Sequence, residues 1–348
     1  MAREAWYINE SELDDYQVPI IQKKMSSSFV VKGCAGSGKT VLALWKAREI
    51  NDADLGSYYV VVYTKALRQF INDGINEIGL SQSRVIHFDQ WKNSLNKPKA
   101  DFVIVDEVQD FTKDELNDLQ QSAGKAFILF GDSAQQIYKG LKQNLMTMEQ
   151  IAFHTSLPME QLVLNHRLPK KIARVAEYLN STGDTLESRC TKEGANKPFF
   201  IEAQDWRSQL DFIKNAIEER GYTDVGILFP QNRDVKSADD YYKSIGFGVE
   251  SKYDINYPNN VKFNLNFHSD NPKLLTYHSA KGLQFEAVFI PLIGVNSLPS
   301  DNENPFYVAL TRTYQDLFII KSTDTMNQIP LTLFEVVKLK KDNDDLPF

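Results

Sequence analysis

The chain has few of the features that would place it outside the cell or in a membrane. Its 348 residues hold only two cysteines, Cys34 and Cys190, far apart and without CxxC spacing. No disulfide framework or zinc site is readable, and a reducing cytoplasm is the expected setting. No apolar run approaches membrane-spanning length. The N-terminal MAREAWYINESELDD is polar and acidic, unlike a signal peptide. A basic surplus, common in nucleic-acid binders, is also missing: the net charge is −7. Residues 1–150 carry 17 Lys+Arg and 20 Asp+Glu (17 − 20 = −3), residues 151–348 carry 22 and 26 (22 − 26 = −4). Any contact with nucleic acid must therefore come from a local groove. Internal repeats and low-complexity tracts are absent as well.

What is present is an alternation of short apolar, β-branched runs with helical patterns. FVVKG (29–33), YYVVVYT (58–64), RVIHF (84–88), DFVIVDE (101–107), AFILFGD (126–132) and LVLNH (162–166) read as buried strands. TVLALWKAREI (40–50) and TKDELNDLQQSA (112–123) read as helices between them. The second half repeats the pattern. PKKIARVAEYLN (169–180) places Ile172, Val175, Ala176 and Leu179 on one helical face, QLDFIKNAIEERG (209–221) ends in a glycine stop, and DVGILFP, KLLTY, AVFIPLI and DLFIIK follow as strands. Such alternation specifies βαβ units and an α/β fold with mostly parallel sheets. The Asn- and Pro-rich stretch 253–272 reads as an irregular insertion, and the C-terminal KLKKDNDDLPF as frayed. A break in the pattern at 148–160 divides the chain into domains 1–150 and 151–348.

GCAGSGKT (33–40) fits G-x-x-x-x-G-K-[ST], the Walker A pattern, and lies between a strand and a helix as that motif requires. Glycines let the backbone wrap phosphates while the helix N-terminus points its free N–H groups at the anion. Gly33, Gly36, Ser37 and Gly38 form the cradle, Lys39 reaches the β- and γ-phosphates, and the Thr40 hydroxyl binds Mg²⁺ beside ATP. Cys34 is a packing residue. Asp106 and Glu107 end the next informative strand. Asp106 can hold Mg²⁺ through water, and Glu107 can take a proton from the attacking water.

From here a family resemblance emerges. DEVQD (106–110) resembles the DExQD box of superfamily 1 helicases of the UvrD/Rep type, and further boxes follow in that family's order. LDDYQ (13–17) resembles the adenine-reading segment, with Gln17 as its contact. VVYTKAL (61–67) and VIHFDQW (85–91) resemble boxes that touch single strands. GDSAQQIY (131–138) implies Gln135 as a γ-phosphate sensor and Tyr138 as a base-stacking ring. LVLNHR (162–167) implies Arg167 on the γ-phosphate. LLTYHSAKGLQFEAVFI (274–290) and YVALTR (307–312) resemble the last boxes, with Gly282 and Gln284 near the nucleotide and Arg312 as an arginine finger. Together they imply two tandem RecA-like P-loop NTPase domains.

The chain departs from the pattern in four ways. Gln284 replaces a glutamate, His166 stands where a tyrosine stacks on adenine, and Val41 stands where an arginine is frequent. The large accessory insertions of full helicases have no room between His87 and Asp101, and little between Arg167 and Thr276. Tyr63, Thr64, His87, Phe88, Trp91, Tyr138, Thr276 and His278 are candidates for a single-strand groove, since aromatic faces stack on bases without reading sequence. Tyr63 and Phe88 end apolar strands and suit a core equally well. His154 reads as structural, and Asp52, Asp54 and the pair Asp239-Asp240 as solvated surface. Three readings follow: an ATP-dependent translocase or helicase on single-stranded DNA or RNA, a regulatory ATPase that gates a partner such as a nuclease in a bacterial or phage defence module, and a non-hydrolysing binding module. Retention of Lys39, Thr40, Glu107, Gln135, Arg167 and Arg312 argues against the last.

Overall fold

A computed structural model describes residues 10–138, 142–178, 185–256, 260–292, 303–322 and 330–339. The chain forms two compact units that divide between His166 and Arg167. The first unit therefore runs past the expected end at 150. The reason lies in α6 (Met148–Thr155) and β6 (Met159–Leu162), which pack on the first sheet: Val30 to Gly33 pair in parallel with Met159 to Leu162.

That sheet also contains β1 (Phe29–Gly33), β2 (Tyr58–Val62), β3 (Val85–His87), β4 (Ala100–Val105) and β5 (Ala123–Gly131). Its order is β3-β2-β4-β5-β1-β6, parallel throughout. Parallel strands need crossovers, and α2 (Lys39–Asp52), α3 (Lys65–Gly74) and α5 (Lys113–Gln121) supply them. With helices on both faces, the central residues of the inner strands are apolar on both sides. Val31, Val60, Val62 and Ile104 enter one core, and Val30, Val61, Val103 and Val105 enter the other. Short α1 (Val18–Gln22) precedes β1, and α4 (Phe88–Lys92) follows β3 directly. Thr112 and Glu115 close a reciprocal capping box that starts α5.

Two readings shift here. The strand expected over 162–166 is two elements, β6 and then β7 (Asn165–Pro169), which joins β8 (Cys190–Lys192) in a two-stranded sheet. Phe88 opens a helix instead of ending a strand.

The second unit is built on an eight-stranded sheet of order β12-β11-β13-β10-β14-β15-β9-β16. Its strands are β9 (Phe199–Ala203), β10 (Val225–Phe229), β11 (Glu250–Ile255), β12 (Asn260–Phe263), β13 (Lys273–Thr276), β14 (Phe285–Leu292), β15 (Thr313–Ser322) and β16 (Glu335–Lys338). All pairings are parallel except β11 with β12. Accordingly, part of the expected irregular stretch 253–272 is an antiparallel pair, Lys252 to Ile255 against Phe263 to Asn260. The helices are α7 (Lys170–Tyr178), α8 (Trp206–Arg220), α9 (Asn232–Ser244) and α10 (Glu303–Leu310). Gly221 stops α8 in the left-handed region, as expected. The residues expected to fray at the C-terminus lie mostly outside the described residues, as do Leu179 and Asn180. The two α/β units with mostly parallel sheets match the tandem RecA-like fold class.

Candidate functional site

The phosphate loop leaves β1 at Gly33 and enters α2 at Lys39. Gly38 adopts φ +83, a left-handed conformation that favours glycine, and the Gln17 amide lies close against it. Lys39 is buried, and its Nζ donates to the Gly33 and Cys34 carbonyls at 2.9 Å each. These bonds hold the ammonium inside the loop that a triphosphate would fill. Thr40 Oγ1 donates to Asp106 Oδ2 at 2.6 Å, which joins the loop to the end of β4. A hydroxyl and a carboxylate oxygen side by side are the hard-oxygen set that Mg²⁺ prefers. Burial first, and then the neighbouring Glu107 charge, raise the Asp106 carboxyl above its usual range. A cation binding there would lower it again.

Glu107 sits at φ +56, a left-handed conformation uncommon for a non-glycine residue. Gln109, fully buried, donates from Nε2 to Glu107 Oε2 at 2.6 Å and accepts on Oε1 from the Asp132 N–H at 3.0 Å. Gln135 in turn donates to Asp132 Oδ2 at 2.7 Å. The structure thus gathers Lys39, Thr40, Asp106, Glu107 and Gln135 along the ends of β1, β4 and β5. The sequence alone assigns Gln109 and Asp132 no role in the site. Both stand inside the quoted boxes, but only the contact across the sheet reveals their part.

Gln17 donates from Nε2 to the Ser37 carbonyl at 3.2 Å, and the His166 N–H donates to the Gly36 carbonyl at 3.0 Å. The His166 ring pairs with Asp14 Oδ2 at 2.6 Å, and Asp14 Oδ1 accepts the Gln17 N–H. The two segments expected to face the base therefore meet the phosphate loop from opposite ends of the first unit's sequence. Asp14 is a further residue the motif reading passed over. Cys34 packs as expected, with Sγ near the Val163 carbonyl.

The groove candidates separate into three groups. Phe88 and Trp91 are corrected to core residues: they are 2% and 1% exposed and pack with Phe111 and Val108. Thr64 and His87 are buried caps, accepting from Leu67 N and Asp89 N to start α3 and α4. Burial pushes the His87 pKa down, which favours the neutral ring that accepts this bond. Tyr63 and Tyr138 remain half-buried with ring centres 4.9 Å apart, and Lys142 lies over Tyr63.

In the second unit, Thr276 is buried and bonded to Ser279, His278 is half-buried, Gly282 takes φ +81, and Gln284 is half-buried. Arg167 lies on β7. Arg312 is 1% exposed; its guanidinium donates to the Val308 carbonyl at 2.8 Å, the Leu283 carbonyl at 3.4 Å and Thr311 Oγ1 at 3.0 Å. His154 bonds Asn117, in keeping with a structural role, and Asp52 and Asp54 are exposed. Asp239 departs from expectation: it is fully buried and bound by Lys243, Lys262 and Ser251. Among the described residues no three His, Cys, Asp or Glu side chains cluster as a metal site, and no helix is long and apolar enough to cross a membrane.

Two family models match the chain. The viral superfamily 1 RNA helicase core domain matches residues 29–201, and the UvrD-like helicase C-terminal domain matches residues 259–324. No curated protein matches. Similar solved structures include a helicase of PRRSV (14% identity, 87% of this chain and 54% of that one, TM-score 0.45). Another is the arterivirus nonstructural protein 10 helicase in complex with DNA (17% identity, 87% and 63%, TM-score 0.43). A third is the C-terminal domain of a possible DNA helicase from Lactobacillus plantarum WCFS1 (13% identity, 49% and 98%, TM-score 0.38). The chain thus spans about half to under two thirds of the two viral helicases. The two sequence matches, lying in order over the boxes that build the phosphate site and the second unit, place this chain in superfamily 1 of the helicases, a family of ATP-hydrolysing enzymes.

Proposed function

We propose that the protein hydrolyses ATP with Mg²⁺ when single-stranded nucleic acid is present, and acts as a translocase or helicase of UvrD-like type on DNA. The observation that carries this reading is the single buried wall formed by Lys39, the Thr40–Asp106 contact and Glu107. Lys39 and the loop N–H groups bind the phosphates, and Glu107 takes the proton of the attacking water. Thr40 and Asp106 would hold Mg²⁺, which supplies charge neutralisation at the phosphate oxygens. Gln135 senses the γ-phosphate, Gln17 and His166 face the base, and Arg167 and Arg312 supply cationic charge to the transferring group. Tyr63 and Tyr138 offer faces for base stacking. Two buried cysteines, Cys34 and Cys190, each with its Sγ near a main-chain carbonyl, suit a reducing cytoplasm.

A second reading is favoured by the short β3–β4 connection, which holds only α4 and a loop. There the motor senses nucleic acid and gates a partner effector such as a nuclease, as in an antiviral defence module. ATP turnover by the purified protein, with and without single-stranded DNA or RNA, tests both. Stimulated turnover with duplex displacement supports the translocase, and stimulated turnover without displacement supports the gate. Turnover no higher than that of Lys39→Ala would overturn both.

A further inference from the structure

One buried cation lies outside the phosphate chemistry. Lys46 follows Lys39 on α2 by about two turns, on the same face. It is 0% exposed, and apart from Lys39 the other buried positions of α2 are apolar. Its Nζ donates to the Ile21 carbonyl at 2.6 Å, the Lys23 carbonyl at 2.9 Å and Glu49 Oε2 at 2.9 Å. Burying an ammonium is costly, and burial pushes its pKa down against the pull of Glu49. A leucine would fill the same space without that cost, but it could not bind two carbonyls. Those carbonyls stand at the C-terminal end of α1, where a helix leaves its own without partners.

The other end of α1 is capped by Gln17. Gln17 Oε1 accepts the Asp14 N–H at 3.2 Å, and Nε2 donates to the Ser37 carbonyl at 3.2 Å. An amide has two N–H groups and two lone pairs on its oxygen. The second of each matches an adenine edge, which offers N7 as acceptor and N6–H₂ as donor. Guanine offers N7 and O6, so the amide oxygen would face another oxygen. Helix α1 is thus a short rod with Ile20 in the core, Gln17 at the phosphate loop and Lys46 at the far end.

We propose that Lys46 is a positioning residue for the base: by fixing the C-terminal end of α1 it aims the Gln17 amide, and so sets the preference of the site for ATP over GTP. The inference rests on the assignment of Gln17 to the base in the ATPase reading above, and adds the group that holds it in place. Without the two bonds from Lys46, α1 can turn about Ile20. Such a turn leaves Lys39 and the phosphate loop where they are and swings the amide off the base edge.

Steady-state turnover of ATP and of GTP by the full chain, with single-stranded oligothymidylate present, tests the pin. The readout is the ratio of kcat/KM for ATP to that for GTP, which does not depend on how much of the enzyme is folded. In Lys46→Met this ratio falls about 10-fold, the scale of one or two lost neutral hydrogen bonds. The fall comes through KM for ATP, while kcat at saturating ATP stays within about 2-fold. A lysine that only stabilises the fold would lower both turnovers together and leave the ratio parental, which overturns the pin. Lys46→Gln has a shorter arm that reaches one carbonyl at most. It serves where Lys46→Met does not fold: its ratio falls about 3-fold, and a parental ratio overturns the pin. Gln17→Ala separates the pin from the reading beneath it. A lowered ratio in Gln17→Ala beside a parental one in Lys46→Met overturns the pin alone. A parental ratio in Gln17→Ala overturns the assignment of Gln17 to the base and the pin with it.

Discussion

At the scale of single residues, the phosphate site is legible because its chemistry and its backbone requirements are local. Gly38 must adopt positive φ, Lys39 must follow it, and Thr40 must open the helix, so the order of letters carries the geometry. Gly131 shows where local reading stops. Its need for glycine comes from Gln109 Oε1 at 2.5 Å, Met148 Sδ at 2.6 Å and Val108 Cγ1 at 2.9 Å, groups on other elements. Gly131→Ala should therefore destabilise the first unit by about 1–3 kcal/mol, the usual cost of overpacking. A denaturant midpoint no lower than the parent's would show that these neighbours move aside freely. Phe88 and Trp91 illustrate the converse failure. An aromatic at a strand end followed by a polar helix start looks the same whether it faces a base or Phe111, and only the packing decides.

Among the elements, apolar runs such as FVIV of β4 and AVFIPL of β14 are plain in the sequence, because burial on both sheet faces keeps successive positions apolar. The pairing of β11 with β12 is not, since NVKF is brief and sits among Asn and Pro that signal turns. What stabilises it lies elsewhere. Asp239 on α9 accepts from Ser251 on β11 and from Lys262 on β12, and also from Lys243 one turn along its own helix. Burial alone would raise the Asp239 carboxyl, but hydrogen bonds from Lys243, Lys262 and Ser251 outweigh it and hold the pKa below the ordinary value. A carboxyl lowered on folding stabilises above its unfolded pKa, and that contribution disappears as pH falls through the folded one. Asp239→Asn should therefore unfold at lower denaturant than the parent from neutral pH down to about 4, and the gap should narrow only below that. A gap that is constant into strong acid would show that shape, not charge, ties the pair to α9.

For the whole molecule, the two-unit α/β plan follows from the recurrence of strand and helix patterns, while the boundary at His166 does not, because β6 belongs to the first sheet by pairing and not by any local signal. The same is true of the cationic residues of the second unit. YVALTR marks Arg312 by resemblance, yet its guanidinium is bonded to Val308, Leu283 and Thr311 within that unit. An arginine with these bonds has a structural role whatever else it does, and loss of activity in Arg312→Ala would by itself be ambiguous. Arg312→Lys resolves it. A lysine retains charge and can donate to the same carbonyls, but lacks the planar fork that spreads charge over a transferring phosphate. If Arg312 acts on the phosphate, Arg312→Lys should unfold near the parental temperature and bind ATP within a few-fold of the parent, yet lose on the order of 10³ in kcat, as removal of an arginine finger does. If its role is confined to holding the turn at Leu283 against α10, Arg312→Ala should lower the unfolding temperature and Arg312→Lys should restore both stability and turnover. Thermal unfolding, nucleotide titration and single-turnover hydrolysis on the two variants separate these outcomes, because a structural arginine ties activity to stability and a catalytic one releases activity from it.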